Sequence, residues 1–272
     1  KELVDISDTV TKQVSDSFSF LNEFAHDKII YGINTGFGPM AQYKIPQEQL
    51  NQLQYNLIRS HSSGLGQPLS EVEARAVMLA RISNFLQGNS GISPEVIYKL
   101  QEFINKEITP EIFEHGSVGA SGDLVQLAHL GLNLIGEGYV CLQGKRIPAK
   151  EALEKNNITP LNLQLRDGLG LMNGTSCMTG IGAINLIYSD RLLNWSILTS
   201  TILNEIIEAY DDSFSAGLNE VKKHKGQSWI AQQMREILVD STLIQSREEL
   251  FKNDLNALPE ELKKKVQEYY SD

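Results

Sequence analysis

The feature that most constrains this chain is the run over residues 178–210, where Ile and Leu fall on every side of a helical period and form no single stripe. A helix that is apolar all round has to be covered all round. The run therefore predicts a long helix buried within a bundle, and a mainly α protein around it. It contains no continuous apolar stretch long enough for a membrane span, and the N-terminus lacks the basic, apolar and small-residue order of a signal peptide. A cytoplasmic protein with no membrane partner is the expectation.

Upstream the pattern is helical but repeatedly interrupted. Over residues 5–28, Val10, Val14, Phe18, Leu21 and Phe24 recur at three- and four-residue steps. Next, Ile29, Ile30, Tyr31 and Ile33 have strand propensity and run into Gly36-Phe37-Gly38-Pro39, a loop signal. Helices are predicted over 46–60 and 70–87, the second opened by Ser70 and Glu73 at capping-box spacing, and a third starts at Ser93-Pro94. Residues 116–123 hold three glycines and end at a helix carrying Leu124, Leu127, Leu130 and Leu134, while 136–147 reads as a hairpin turning at Gln143-Gly144. After Tyr210 the chain is more polar, with less regular structure expected until a final helix over 259–270. The expected organisation is a loop-rich N-terminal region with a few short strands over 1–150, followed over 151–272 by the start of a central helical bundle, incomplete at its C-terminal end.

Composition excludes several functions. A net charge of -10 leaves too little clustered Lys and Arg for a nucleic-acid surface, and Lys263-Lys264-Lys265 reads as a solvated helix face. Cys141 and Cys177 are far apart, which suggests neither a disulfide framework nor a zinc knuckle and fits a reducing compartment. His26, His61, His115, His129 and His224 fit no metal-binding spacing, so no metal is expected. The first residue is Lys1, and a trimmed or processed start is expected.

The glycine loop carries the chemistry. Gly116, Gly119 and Gly122 match neither the dinucleotide fingerprint nor a Walker loop, and Ser121 lacks the frame of a hydrolase elbow. Taken alone, the loop is a structural turn or a site of backbone cyclisation. For the second, the Gly122 nitrogen attacks the Ala120 carbonyl carbon, unobstructed by a side chain. Loss of one water closes a five-membered ring, and loss of the Ser121 hydroxyl as a second leaves an exocyclic methylene, an electrophile that ordinary side chains lack. Asp123 and the helix start beyond it are placed to orient the loop.

Gly116-Ser117-Val118-Gly119-Ala120-Ser121-Gly122-Asp123-Leu124, continuing to Leu127-Ala128-His129, resembles the signature of the histidine, phenylalanine and tyrosine ammonia-lyases, in which Ala-Ser-Gly forms 4-methylideneimidazole-5-one. Further segments follow the family order: Tyr31-Gly32-Ile33-Asn34-Thr35-Gly36-Phe37-Gly38, Ser60-His61-Ser62-Ser63-Gly64, Gln87-Gly88-Asn89-Ser90-Gly91, Leu171-Met172-Asn173-Gly174-Thr175, His224-Lys225-Gly226-Gln227 and Val266-Gln267-Glu268-Tyr269-Tyr270-Ser271. The resemblance implies an ammonia-lyase/fumarase-like fold, a homotetramer with sites shared between chains, and a prosthetic group made from Ala120, Ser121 and Gly122 with no metal or nucleotide. It makes Tyr31 the base that removes the substrate β-proton, and His61, Asn173, Gln267 and Tyr270 substrate-binding. The family's carboxylate-clamping arginine, three residues beyond the tyrosine, falls past Asp272, and the family's C-terminal helices are also missing, so a fragment or a chain completed by another is expected.

The implied reaction removes ammonia from L-tyrosine or L-histidine to give coumarate or urocanate. Ser60-His61 is similar to histidine lyases and certain bacterial tyrosine lyases, and Asp123-Leu124-Val125-Gln126 leans to the tyrosine type. An aminomutase using the same prosthetic group, a non-catalytic scaffold retaining the fold, and a nucleotide-binding module remain as alternatives.

Overall fold

A computed structural model describes the backbone of residues 2–270, and the side chains of that range apart from those at 251, 254–256 and 266–270. The chain divides into two compact units, Lys1–Asn185 and Leu186–Asp272. Both are mainly helical.

In the first unit, α1 (Asp8–Phe24) is followed by turns and then by α2 (Leu50–His61), β1 (Leu65–Pro68), α3 (Glu71–Phe85) and α4 (Pro94–Asn105). The Ser70 capping box forms as its spacing predicts, with the Ser70 hydroxyl accepting from the Glu73 N–H and the Glu73 carboxylate accepting from the Ser70 N–H. At α4 the start is where Ser93-Pro94 places it. The Ser93 hydroxyl, however, leaves its own helix and donates to Asp167. Next come β2 (Ile108–Pro110), β3 (Phe113–His115), α5 (Leu124–Leu134), the hairpin β4 (Tyr139–Leu142) and β5 (Lys145–Pro148), α6 (Ala149–Lys155) and α7 (Asp167–Met172). β1 pairs antiparallel with β3, and β2, β4 and β5 form a second antiparallel sheet in that order. Phe85, Ile97, Leu100, Phe103, Leu127, Leu130 and Leu134 form the centre of the core, each almost wholly withdrawn from water.

Two expectations are corrected here. Residues 31–34 form a turn, and 29–35 hold no strand despite their propensity, with only a single bridge between Thr35 and Lys44. The Asn34 side chain is the cause: its amide oxygen accepts from the Ile30 N–H and its amide nitrogen donates to the Lys28 carbonyl, so the groups a strand would pair outward are satisfied locally. The region after Tyr210, expected to be irregular, instead holds α9 (Ala216–Glu220), α10 (Lys225–Ile237) and α11 (Arg247–Ala257) before α12 (Glu260–Tyr270). Phe214, Ala231 and Leu238 make a small core there, with Met234 and Ile244 packed against it.

The long helix forms as α8 (Ser176–Ile206). Its first turn enters the core through Cys177, and Gly180 lies so close to the backbone at Ala76 and Val77 of α3 that a Cβ would overlap it. Further along, the expected burial is absent: Leu186, Leu192, Trp195 and Ile206 are each about two-thirds or more exposed, at 72, 71, 67 and 69%. The period specified a helix needing cover on every side, and the described residues of this chain do not supply it. Among the described residues no helix is long and apolar enough to cross a membrane.

Candidate active site

Four of the segments singled out above are joined by one small apolar cluster. Leu57 of α2, Ala128 of α5, and Leu169 and Met172 of α7 are buried together, with Phe37 and Leu124 packed against them. Phe37 belongs to the Tyr31 loop and meets the Tyr31 ring edge-on, with centroids 5.8 Å apart. Leu57 lies one turn before His61, Leu124 opens the helix after Ala120-Ser121-Gly122, and Met172 adjoins Asn173. The cluster thus fixes the bases of all four segments, while Tyr31, Ala120, Ser121 and Asn173 stay exposed and His61 is half-buried. Gln54, wholly buried on α2, reinforces the arrangement by donating to the Gly32 carbonyl at 3.1 Å and accepting from the Leu169 N–H at 3.1 Å.

Tyr31 is 54% exposed, and its phenolic oxygen accepts from the Gly38 N–H at 3.2 Å. Gly32, at φ +75°, passes so near Leu169 that a Cβ would overlap that side chain, which ties the Tyr31 turn to α7. His61 Nδ1 lies 2.9 Å from the Leu57 carbonyl and 3.0 Å from the Ser60 hydroxyl, which itself donates to that carbonyl, so the ring is anchored to the end of α2 through Nδ1. The segment after it is held by His129, whose Nε2 accepts from the Gly64 N–H at 3.0 Å while its ring packs edge-on against Phe113. Burial pulls the His129 pKa below its ordinary value, with Glu111 opposing, and so favours the neutral acceptor that this contact needs.

Ala120 and Ser121 are exposed, and Gly122, at φ +102°, lies directly against Gly174. A Cβ at residue 122 would overlap the Gly174 carbonyl oxygen, so the position accepts glycine alone. Asp123 fastens the other end of the loop. Its N–H donates to the Gly174 carbonyl at 2.7 Å, and its carboxylate accepts from the Met178 N–H at 2.8 Å, capping α8 and not its own helix. These residues fit a prosthetic group made from Ala120-Ser121-Gly122: a Cβ-free nitrogen donor, an exposed serine, and a backbone seat against which the loop is pressed. Asn173 ends α7 with its side chain exposed beside a cavity of about 400 Å³ lined by Arg81, Asn84, Gly174 and Thr175. Gln267 and Tyr270 fall on α12, and their side chains lie outside the described residues.

Three contributors escape a reading by pattern. Gln54, Arg81 and Asp167 are polar residues on otherwise apolar helix faces; Arg81, for instance, continues the buried stripe of Val77 and Phe85 at four-residue steps. That misplacement is the signal that could have found them. Asp167 accepts from the Ser93 N–H and hydroxyl, both at 2.8 Å, and from the Gln164 N–H at 3.0 Å, joining α4 to α7; burial nevertheless pushes its pKa up to about 6. No group of three His, Cys, Asp or Glu side chains that could hold a metal ion occurs among the described residues.

A mainly helical unit in which a seated Ala-Ser-Gly loop, a tyrosine turn and an asparagine turn share one apolar footing defines a class of protein, and comparison with known proteins agrees on which. The family model for aromatic amino acid lyases matches residues 1–271, and the chain belongs to that family. A curated relative, the histidine ammonia-lyase of Geobacillus thermodenitrificans, is 42% identical over 220 residues, 81% of this chain and 44% of the relative. Among solved structures, the phenylalanine aminomutase of Pantoea agglomerans superposes with a TM-score of 0.89 at 33% identity, over 95% of this chain and 50% of that one. The histidine ammonia-lyase of Trypanosoma cruzi gives 0.79 at 32% identity, over 86% and 45%. The chain thus spans about half the length of the curated relatives it matches.

Proposed function

We propose that the protein to which this chain belongs is a carbon-nitrogen lyase that eliminates ammonia from an aromatic L-amino acid, with histidine preferred and tyrosine second. The observation that carries the reading is the common footing of the Tyr31 turn, the His61 helix end, the Ala120-Ser121-Gly122 loop and the Asn173 turn on the cluster around Leu57 and Leu169. The preference for histidine rests on curated relatives that are histidine ammonia-lyases at about 40% identity, together with Ser60-His61.

Ammonia elimination is hard because the amine leaves poorly and the β-hydrogen is weakly acidic. A 4-methylideneimidazole-5-one formed at residues 120–122 supplies an electrophilic methylene, the chemistry that addresses the first difficulty. To make it, the Gly122 nitrogen bonds to the Ala120 carbonyl carbon and its proton passes to the oxygen. That hydroxyl leaves with the Ser121 amide proton as one water, and Ser121 gives up its Cα hydrogen and hydroxyl as a second. Tyr31 addresses the second difficulty by taking the β-proton at its phenolic oxygen, where the Gly38 N–H already donates. His61 offers Nε2 to the substrate side chain, and the Asn173 amide orients the substrate beside the loop. Gln267 and Tyr270 belong to the same reading as substrate-binding residues. So does a cytoplasmic homotetramer, supported by the uncovered apolar side chains of α8. An aminomutase is the second reading, favoured by the fit to the Pantoea agglomerans enzyme.

The test is to express the complete gene and incubate the product with L-histidine, L-tyrosine and L-phenylalanine, following unsaturated acid by ultraviolet absorbance and β-amino acid by chromatography. Urocanate from histidine is expected, together with loss of turnover in Ser121→Ala. No acid and no β-amino acid from any of the three would defeat the proposal.

A further inference from the structure

Arg81, on α3, is 2% exposed, and it addresses one feature of the fold outside its own helix. Its Nη2 donates to the carbonyls of Gly170 and, at 2.8 Å, Asn173, while Nη1 donates to the Ser176 hydroxyl at 3.3 Å. These three acceptors bracket the turn between α7 and α8. On one side of that turn, a Cβ at Gly174 would overlap Arg81 Nη1; on the other, the Gly174 carbonyl accepts from Asp123 and excludes a Cβ at Gly122. The guanidinium therefore bears on the Ala120-Ser121-Gly122 loop through the backbone of Gly174, and a second path runs from Ser176 along the first turn of α8 to the Met178 N–H that Asp123 accepts.

The turn needs such a restraint, because the cavity of about 400 Å³ lies beside it and is lined by Arg81 itself, Asn84, Thr175 and Thr179. Packing does not close that side, and an unrestrained turn has room to relax away from residue 122. Burial lowers the Arg81 pKa to about 10, with Asp123 opposing, so the fork stays charged at neutral pH and its bonds to neutral carbonyls remain charge-assisted.

From this geometry we infer that Arg81 is a positioning residue for ring closure at residues 120–122, holding the Asn173-Gly174 turn as the seat that presses the Gly122 nitrogen toward the Ala120 carbonyl carbon. The inference rests on the proposed function, and it assigns Arg81 to maturation and not to substrate.

The test compares wild type, Arg81→Met and Arg81→Lys, each expressed from the complete gene, by intact mass and by mapping the peptide that contains residues 120–122. Ring closure removes the mass of two waters, and thermal melts report folding separately. Arg81→Met is expected to melt cooperatively, with the closed fraction lowered about tenfold or more at equal times after synthesis. Arg81→Lys is expected to fall between, because a single ammonium keeps the charge but cannot reach all three acceptors as a planar fork. A folded Arg81→Met that closes to the wild-type extent overturns the inference. Should that variant fail to fold, Arg81→Lys decides: slowed closure supports the clamp, and closure at the wild-type rate overturns it. Wild-type protein that keeps both waters overturns the proposed function first, and the clamp with it.

Discussion

α5 and α8 are both leucine-rich helices that start beside the same loop, yet they meet opposite fates. Leu127, Leu130 and Leu134 of α5 are fully buried in the core of the first unit, where α5 packs against α2 and α7, whereas Leu186, Leu192 and Trp195 of α8 are each about two-thirds or more exposed, at 72, 71 and 67%. Apolar character is thus a demand for cover and carries no statement of who provides it. For α5 the cover lies in the chain itself. For most of α8 the described residues do not supply it, and the same composition then marks an apolar surface that they leave open.

The contrast can be broken or sharpened by measurement. Leu130→Ala should cost the first unit about 3 kcal/mol, the usual penalty for emptying a fully buried leucine site, read from denaturant melts. A cost under about 1 kcal/mol would mean that α5 is not the rigid base of the site.

A smaller effect comes from two buried groups with opposite pH behaviour. The folded Asp167 carboxyl titrates at about 6 against an ordinary 3.8, so between those values the folded chain binds more protons than the unfolded one. Stability from this group is therefore greatest at the acid end and declines as pH rises to about 6. His129 is depressed below 6.5, so the folded chain binds fewer protons there; its contribution is full above about 6.5 and is lost as pH falls through the lowered value. Melts of Asp167→Asn and His129→Gln across this range should each remove one slope, and slopes of the same sign would refute the assignment. The smallest effect is expected on the exposed helix. Leu192→Ala should change the melting of the isolated chain by no more than about 0.5 kcal/mol, while weakening any self-association seen by sedimentation.

Much of the architecture was legible because its signals are local. The Ser70–Glu73 capping box, the Pro94 helix start and the Gln143-Gly144 hairpin each depend on residues a few positions apart, and all three formed. The run over 29–33 failed for a reason equally local in outcome but invisible in propensity: the Asn34 amide captures Ile30 and Lys28, and a turn replaces the strand. α11 is hidden because it is polar with little apolar periodicity, whereas α10 carries a clear apolar stripe at helical spacing within a polar sequence and was legible there. In the candidate site, the Ala120-Ser121-Gly122 loop and the Tyr31, His61 and Asn173 segments stand out in the sequence. The supports of Gln54, Arg81 and Asp167 do not, since each bonds to a partner more than twenty positions away.

The sequence by itself determined where helices begin, which faces are apolar and which tripeptide can cyclise, because capping, periodicity and the missing Cβ of glycine act within a few residues. Only the tertiary structure decided that four separate segments share one footing around Leu57 and Leu169, and that the seat for Gly122 is the backbone of Gly174 held by a buried arginine. Such contacts depend on which distant backbone happens to pass within hydrogen-bond reach. Chain order does not encode that distance until the core has packed.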